Sequence, residues 1–175
     1  MKKVLVGAIF GTLIALIFLP SLFRSKKLFE KSTLIGKVPP DFVSEDFSGN
    51  QKKISDISNG NTVFINFFAS WCKECSAERE KLIELKSKTK NIVIVGVAFN
   101  DSKDKIDKYL QEINPYDYIA YDKGEIALDY GATGVPETYI VINGKIARKI
   151  IGPIEFSEIA QIIENQKVNE TPAER

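Results

Sequence analysis

Cys72 and Cys75 are the only thiols in a chain of 175 residues that contains no histidine. They lie in the segment Ala69-Ser70-Trp71-Cys72-Lys73-Glu74-Cys75-Ser76-Ala77. A C-x-x-C pair interconverts between dithiol and disulfide and so carries two electrons. Without imidazole to shuttle protons or bind metal near neutral pH, any further chemistry must come from carboxylates. A structural zinc site takes about four ligands, which acidic side chains would have to complete. A purely structural bridge over so short a loop would restrain the unfolded chain very little. Ser76 stands where a c-type haem attachment needs a histidine. Redox exchange is the reading these residues favour, with no metal and no cofactor beyond the thiol pair.

The elements that hold the pair follow from the flanking pattern. Thr62 to Phe68 (TVFINFF) is apolar, β-branched and aromatic, which predicts a buried strand running into the thiols. After Cys75 the spacing turns helical, with Cys75, Glu78, Leu82 and Leu85 on one stripe. Cys72 then falls at a helix start, where unpaired N–H groups and the positive end of the dipole favour a thiolate. It is the expected nucleophile, exposed, and Cys75 one turn deeper is the expected shielded resolving thiol. Glu78 is expected to face inward beneath Cys75. Burial raises a carboxylate pKa, so Glu78 becomes a candidate for proton exchange with that thiol. The competing reading is a solvent-facing acid that only stabilises the helix dipole, a role assigned to Glu74. Negative charge beside a thiol disfavours the thiolate, so Glu74 and Glu78 predict a reductant rather than an oxidant.

With 44% apolar and 27% charged residues, the chain suits one well-buried domain plus an appendage. Its net charge of +1 hides a split. Residues 1–37 carry Lys2, Lys3, Arg24, Lys26, Lys27, Lys31 and Lys37 against Glu30 alone, and the remainder is net acidic. Nothing in that balance suggests a nucleic-acid surface.

Val4 to Phe23 contains no charged residue and, at about 1.5 Å per residue, spans roughly the 30 Å of a bilayer core. Leu22-Phe23-Arg24 offers no small-residue cleavage site, so residues 1–23 read as an uncleaved anchor, with a cleaved signal and a buried soluble helix as the alternatives. Positive charges flank the segment on both sides and do not decide its orientation. A lone N-terminal anchor with a short leader usually exports the domain behind it. The expected location is therefore the inner (cytoplasmic) membrane, single-pass, with the catalytic domain in the periplasm or otherwise outside the cytoplasm. Residues 24–38 read as a basic juxtamembrane linker, either solvated or resting on anionic lipid. Residues 39–166 read as the folded domain and 167–175 as a disordered tail.

Within the domain, a short strand at Phe42-Val43 and a turn through Gln51 precede a brief return at Ile54 to Ile57. Ile92 to Phe99 predicts a strand covered on both faces. Helical spacing runs from Ser102 to Ile113, with Asp101 or Ser102 as cap. A strand at Tyr116 to Tyr121 and a helix at Glu125 to Tyr130, closed by Gly131, come next. Strands at Thr138 to Ile142 and Ile146 to Ile151 flank an Asn143-Gly144 turn, before a last helix from about Glu155 to Asn165.

This order resembles the thioredoxin-like fold, an α/β architecture with a central mixed β-sheet flanked by helices, here preceded by one transmembrane helix. Gly131-Ala132-Thr133-Gly134-Val135-Pro136-Glu137-Thr138-Tyr139 resembles the GVxGxPETF signature of the DsbE/CcmG group, membrane-anchored thiol reductases of cytochrome c maturation. The likeness covers Leu34 to Asn165, and Asn66 with the anchor points to the CcmG, TlpA and ResA neighbourhood. Lys73-Glu74 departs from the proline many relatives carry between the cysteines, and Tyr139 replaces phenylalanine. The resemblance implies a cis Pro136 that leaves the backbone of Val135 free to pair with an extended substrate. Trp71 and Glu137 complete the substrate-binding set. An ordinary turn proline is the alternative. Where thioredoxins bury an Asp, this chain has Asn66, which cannot take a proton, so the base is assigned to Glu78.

The resemblance further implies reduction of disulfides in apocytochrome c or its thiol chaperone, with an integral membrane thiol electron donor of the DsbD/CcdA type as second partner. A general periplasmic reductase or oxidant of the same fold is one rival. A non-catalytic chaperone or docking module that uses the Val135-Pro136 groove is another.

Overall fold

The computed structural model describes residues 32–89 and 91–155. The expected anchor, most of the basic linker, the last helix beyond Glu155 and the tail lie outside the described residues. Among those described, no helix is long and apolar enough to cross a membrane.

The strands β1 (Val43–Glu45), β2 (Gln51–Lys53), β3 (Thr62–Phe68), β4 (Ile92–Phe99), β5 (Tyr118–Asp122), β6 (Glu137–Ile142) and β7 (Lys145–Ile151) form one mixed sheet. Its order is β2-β1-β5-β4-β3-β6-β7. The two apolar runs, β3 and β4, lie side by side and parallel in the middle, with Asn66 opposite Gly96. β5 continues the parallel part, and β6 returns antiparallel along β3. Among the described residues the helices are α1 (Ile54–Ile57), α2 (Lys73–Lys88), α3 (Lys103–Leu110) and α4 (Glu125–Tyr130).

Strand alternation divides the core into two faces. Phe64 and Phe68 of β3 point to the side where Leu82 and Leu85 of α2 and Ile106 and Leu110 of α3 pack. Val63, Ile65 and Phe67 point to the other, against Ile54 and Ile57 of α1 and Ala127 and Tyr130 of α4. Asn66 shares the phase of Phe64 and Phe68, so a side-chain amide lies on the α2 side of a strand buried from Val63 to Phe68.

Most expected elements are present. Ile54–Ile57 departs from expectation: it is one helical turn, and the returning strand is Gln51–Lys53. Its two isoleucines, three residues apart, both enter the core, which helical spacing permits. Asp41 secures the turn by accepting hydrogen bonds from the Ser55 N–H and hydroxyl at 3.0 and 3.2 Å. For α4, with Gly124 as its first cap, Asp122 accepts from the N–H groups of Gly124, Ile126 and Ala127. The chain just before β1 lies beside β7: the Gly36 N–H donates to Ile146 O at 2.7 Å and the Ile146 N–H to Lys37 O at 2.9 Å.

Gly96 is dictated by close approach. A Cβ there would come within 2.8 Å of Phe68 and Ile119 and 2.9 Å of Tyr116. The bare backbone lets the Tyr116 ring stack on Phe68, centroids 4.5 Å apart, and reach across β4 to Asn66. Gly96→Ala is expected to lower unfolding stability by about 1–3 kcal/mol through overpacking, measured by chemical denaturation.

Candidate active site

β3 delivers the chain to the rim of the sheet, and Cys72 is the N-cap of α2 in extended conformation, φ −86° and ψ 112°. Its Sγ accepts the Cys75 N–H at 3.1 Å, so one of the unpaired donors of the helix start points at the sulfur. That contact and the dipole favour a thiolate at Cys72 over one at Cys75. The two sulfurs are joined as a disulfide, with Cα atoms 5.3 Å apart.

The expected difference in exposure between the cysteines is small here. Cys72 is 5% exposed and Cys75 2%, so the outer sulfur is covered rather than open. Both belong to the apolar cluster of Phe68, Ala69, Leu82 and Leu110, against which Val135 packs. Trp71 is the exposed large apolar side chain of the motif, at 62%. Glu74 lies exposed in the first turn of α2, where its charge complements the helix dipole.

Glu78 faces inward as its place on the stripe predicts, and is 1% exposed. Each carboxylate oxygen has a donor: Asn66 Nδ2 reaches Oε2 at 3.0 Å and the Ile154 N–H reaches Oε1 at 2.8 Å. Asn66 also donates to Thr138 Oγ1 at 2.8 Å and accepts the Tyr116 hydroxyl at 2.8 Å. Burial, and then the Glu78 charge, push the Tyr116 phenol well above its ordinary range, so it stays a donor. The amide orientation is thereby fixed, with its oxygen toward the phenol and its nitrogen toward the carboxylate. Arg79, next along α2, ties the helix to α3 by donating to the carbonyls of Tyr109 and Ile113.

The Val135-Pro136 peptide bond is cis. Pro136 is buried and Val135 half-buried. Among the described residues the Val135 N–H and C=O have no hydrogen-bond partner. A free stretch of backbone thus lies on the loop before β6, beside the cluster that holds the cysteines.

Glu137 corrects the expectation of substrate contact. It is fully buried, and alternation along β6 places it on the face opposite α2, with Tyr139 and Val141. Its carboxylate accepts from the Thr133 N–H and hydroxyl, both at 3.1 Å, and from the Tyr139 hydroxyl at 2.8 Å. Lys149 pairs with it at 3.1 Å. Glu137 braces the loop from within.

Two supports went unassigned at the sequence level. Asp101, considered there only as a cap for α3, accepts the Ser70 N–H at 2.8 Å and so holds the loop leading to Trp71 and Cys72. The parallel register of β3 and β4, which pairs Phe68 with Ala98, brings these strand ends together. Lys149 is the other. The register of β6 with β7 sets Lys149 opposite Tyr139, a pairing that no local pattern in the sequence announces.

These features define a thioredoxin-like thiol:disulfide oxidoreductase: a C-x-x-C disulfide at a helix start, a cis Val135-Pro136 bond whose valine packs on the cysteine cluster, and a mixed sheet behind. Residues 35–149 match the AhpC/TSA family, and the chain belongs to it, among the thiol:disulfide interchange proteins. It is 37% identical to the thiol:disulfide interchange protein HelX of Rhodobacter capsulatus over 113 residues, 63% of each chain. To DsbE of Vibrio cholerae it is 34% identical over 128 residues, 71% of this chain and 68% of that one. The alignment thus spans just under two thirds of HelX and just over two thirds of DsbE. A crystal structure described as a thiol:disulfide interchange protein DsbE from Chlorobium tepidum superposes with a TM-score of 0.65 at 27% identity, covering 77% of this chain and 96% of that one.

Burial works against ionisation of Asp101, yet the hydrogen bonds from Ser70 and Ser102 hold its pKa below the ordinary value of 3.8. A carboxylate with a depressed folded pKa stabilises the fold above its unfolded pKa, and that stability is lost as pH falls through the folded value. Asp101→Ala is expected to cost about 1 kcal/mol at pH 7. The gap from wild type should narrow below the ordinary value, as followed by denaturation across pH.

Proposed function

We propose that the chain is a membrane-anchored, extracytoplasmic protein-disulfide reductase of c-type cytochrome maturation. It donates electrons to disulfides of apocytochrome c or of its thiol chaperone. The observation that carries this reading is the directional environment of the sulfur pair: Cys72 Sγ accepts a helix-start N–H, and a buried carboxylate lies one turn beneath Cys75. The kinship with DsbE and HelX supports the setting, and the charge-free run from Val4 to Phe23 supports the anchor.

In the reduced protein the Cys72 thiolate attacks one sulfur of the substrate disulfide. A mixed disulfide forms, and the displaced substrate thiolate takes a proton. Cys75 gives up its proton, with Glu78, three residues further along α2 and buried, as the candidate acceptor, and attacks Cys72 Sγ. The second substrate thiol leaves, and the protein ends with its own disulfide, two electrons lighter. No cofactor enters. An integral membrane thiol donor of the DsbD/CcdA type restores the dithiol, because a domain outside the cytoplasm has no direct NADPH supply.

Acidic groups near the cysteines, with no histidine or arginine between them, leave the reduced form weakly stabilised, which favours electron donation. Equilibration with glutathione is expected to give a potential well below that of the strong oxidant DsbA; a value near DsbA's overturns the reductant assignment.

Cys75→Ser, expressed in the native host, is expected to accumulate mixed disulfides through Cys72 with an apocytochrome c or a thiol chaperone. Trapping only unrelated proteins overturns the assignment to cytochrome maturation. Glu78→Gln keeps the shape and removes the proton carrier. It should slow resolution of a preformed mixed disulfide by about 100-fold, the low end of what proton transfer supplies, in stopped-flow traces.

A further inference from the structure

The loop from Gly131 to Val135 presents the free backbone beside the thiols, yet little apolar packing holds it. Gly131, Thr133 and Gly134 are exposed, and only Ala132 and Val135 touch the core. What fixes its path is polar and lies underneath. Lys149 of β7 donates to Gly131 O at 2.9 Å and pairs with Glu137 Oε1 at 3.1 Å. The other Glu137 oxygen accepts twice from Thr133. Tyr139, whose ring lies 5.4 Å from the Lys149 ammonium, places its hydroxyl 2.7 Å from Tyr130 O and 2.8 Å from Glu137 Oε1. The lysine and glutamate side chains are 4% and 0% exposed.

A charge pair buried this deeply contributes little or nothing to stability relative to a well-packed apolar pair. It does impose geometry. Gly131 O and Thr133 N–H can be satisfied together only when the loop sits at one height above the sheet, and that height sets where Val135 offers its N–H and C=O.

We infer that Lys149 is a positioning residue for substrate recognition. Through Gly131 O and Glu137 it sets the loop that carries the Val135 backbone edge, so that an extended polypeptide lies across Cys72. This deepens the reductase reading and rests on it. Lys149 touches neither substrate nor sulfur: it sits on the face of the sheet opposite α2. Its loss therefore acts on substrates that have backbone on both sides of the disulfide and spares those that have none.

The test uses the pre-reduced full-length chain in single-turnover stopped flow with two probes. One is a short synthetic peptide with an internal cystine, and the other is the small aromatic disulfide 5,5′-dithiobis(2-nitrobenzoic acid). For Lys149→Met, the half-saturating peptide concentration is expected to rise about tenfold, a modest share of what misplacement near a reacting centre can cost. The limiting rate and the rate with the small disulfide should stay within about twofold of wild type, and Lys149→Arg should restore most of the peptide affinity. Should the single variant fail to fold around the stranded glutamate, Glu137→Gln/Lys149→Met strands no charge and carries the same expectation. Unchanged peptide saturation overturns the assignment, as does an equal loss with both probes. A wild-type protein that reduces neither probe overturns the reductase reading, and this inference with it.

Discussion

A carboxylate taken out of water must be met by donors, and Glu78 imposes that demand on half of the molecule. Left unpartnered, a buried charge costs several kcal/mol. The sheet meets it with Asn66 from β3, and the chain after β7 meets it with the Ile154 N–H. Asn66 in turn needs a donor for its oxygen, which Tyr116 provides, and Tyr116 needs room, which Gly96 leaves. One acid beneath the thiol helix thereby accounts for a polar residue in the most apolar strand and a glycine in its neighbour. It also accounts for a tyrosine that reaches across the sheet.

The two faces of the sheet divide the labour. On the α2 side lie the sulfurs, Glu78 and Asn66, where protons and electrons are handled. On the opposite side, the Glu137–Lys149 pair and its tyrosines shape the loop that crosses to the first face at Val135 and Pro136. The cysteines of this structure are oxidised and covered, so reactivity belongs to the direction of the N–H groups and the dipole around Cys72 more than to its exposure in this state.

Much of this was legible in the sequence because it is local. The helix start at Cys72, the inward stripe through Glu78 and the Asn143-Gly144 turn depend on residues within a few positions of one another. Ile54–Ile57 misled because an apolar pair three apart in so short a segment fits a strand or a helical turn, and Asp41, far back in the chain, decides it. Glu137 misled for a related reason. It is expected among the substrate contacts, but alternation along β6 turns its side chain to the face away from the cysteines. Asp101 and Lys149 act across strands, through registers that only the assembled sheet defines.

The backbone of Gly36 and Lys37 bonded to Ile146 bears on how the sheet's borders meet other chains. An outermost strand with free amides invites other chains to dock edge to edge, and here the chain's own leading segment occupies the start of that border. At the far border, Gln51–Lys53 is short, wholly exposed and carries two lysines, which discourage a neighbour by charge. Both flanks of the sheet are thus poor places for a polypeptide to add as a further strand, which leaves the free Val135 backbone beside the cysteine cluster.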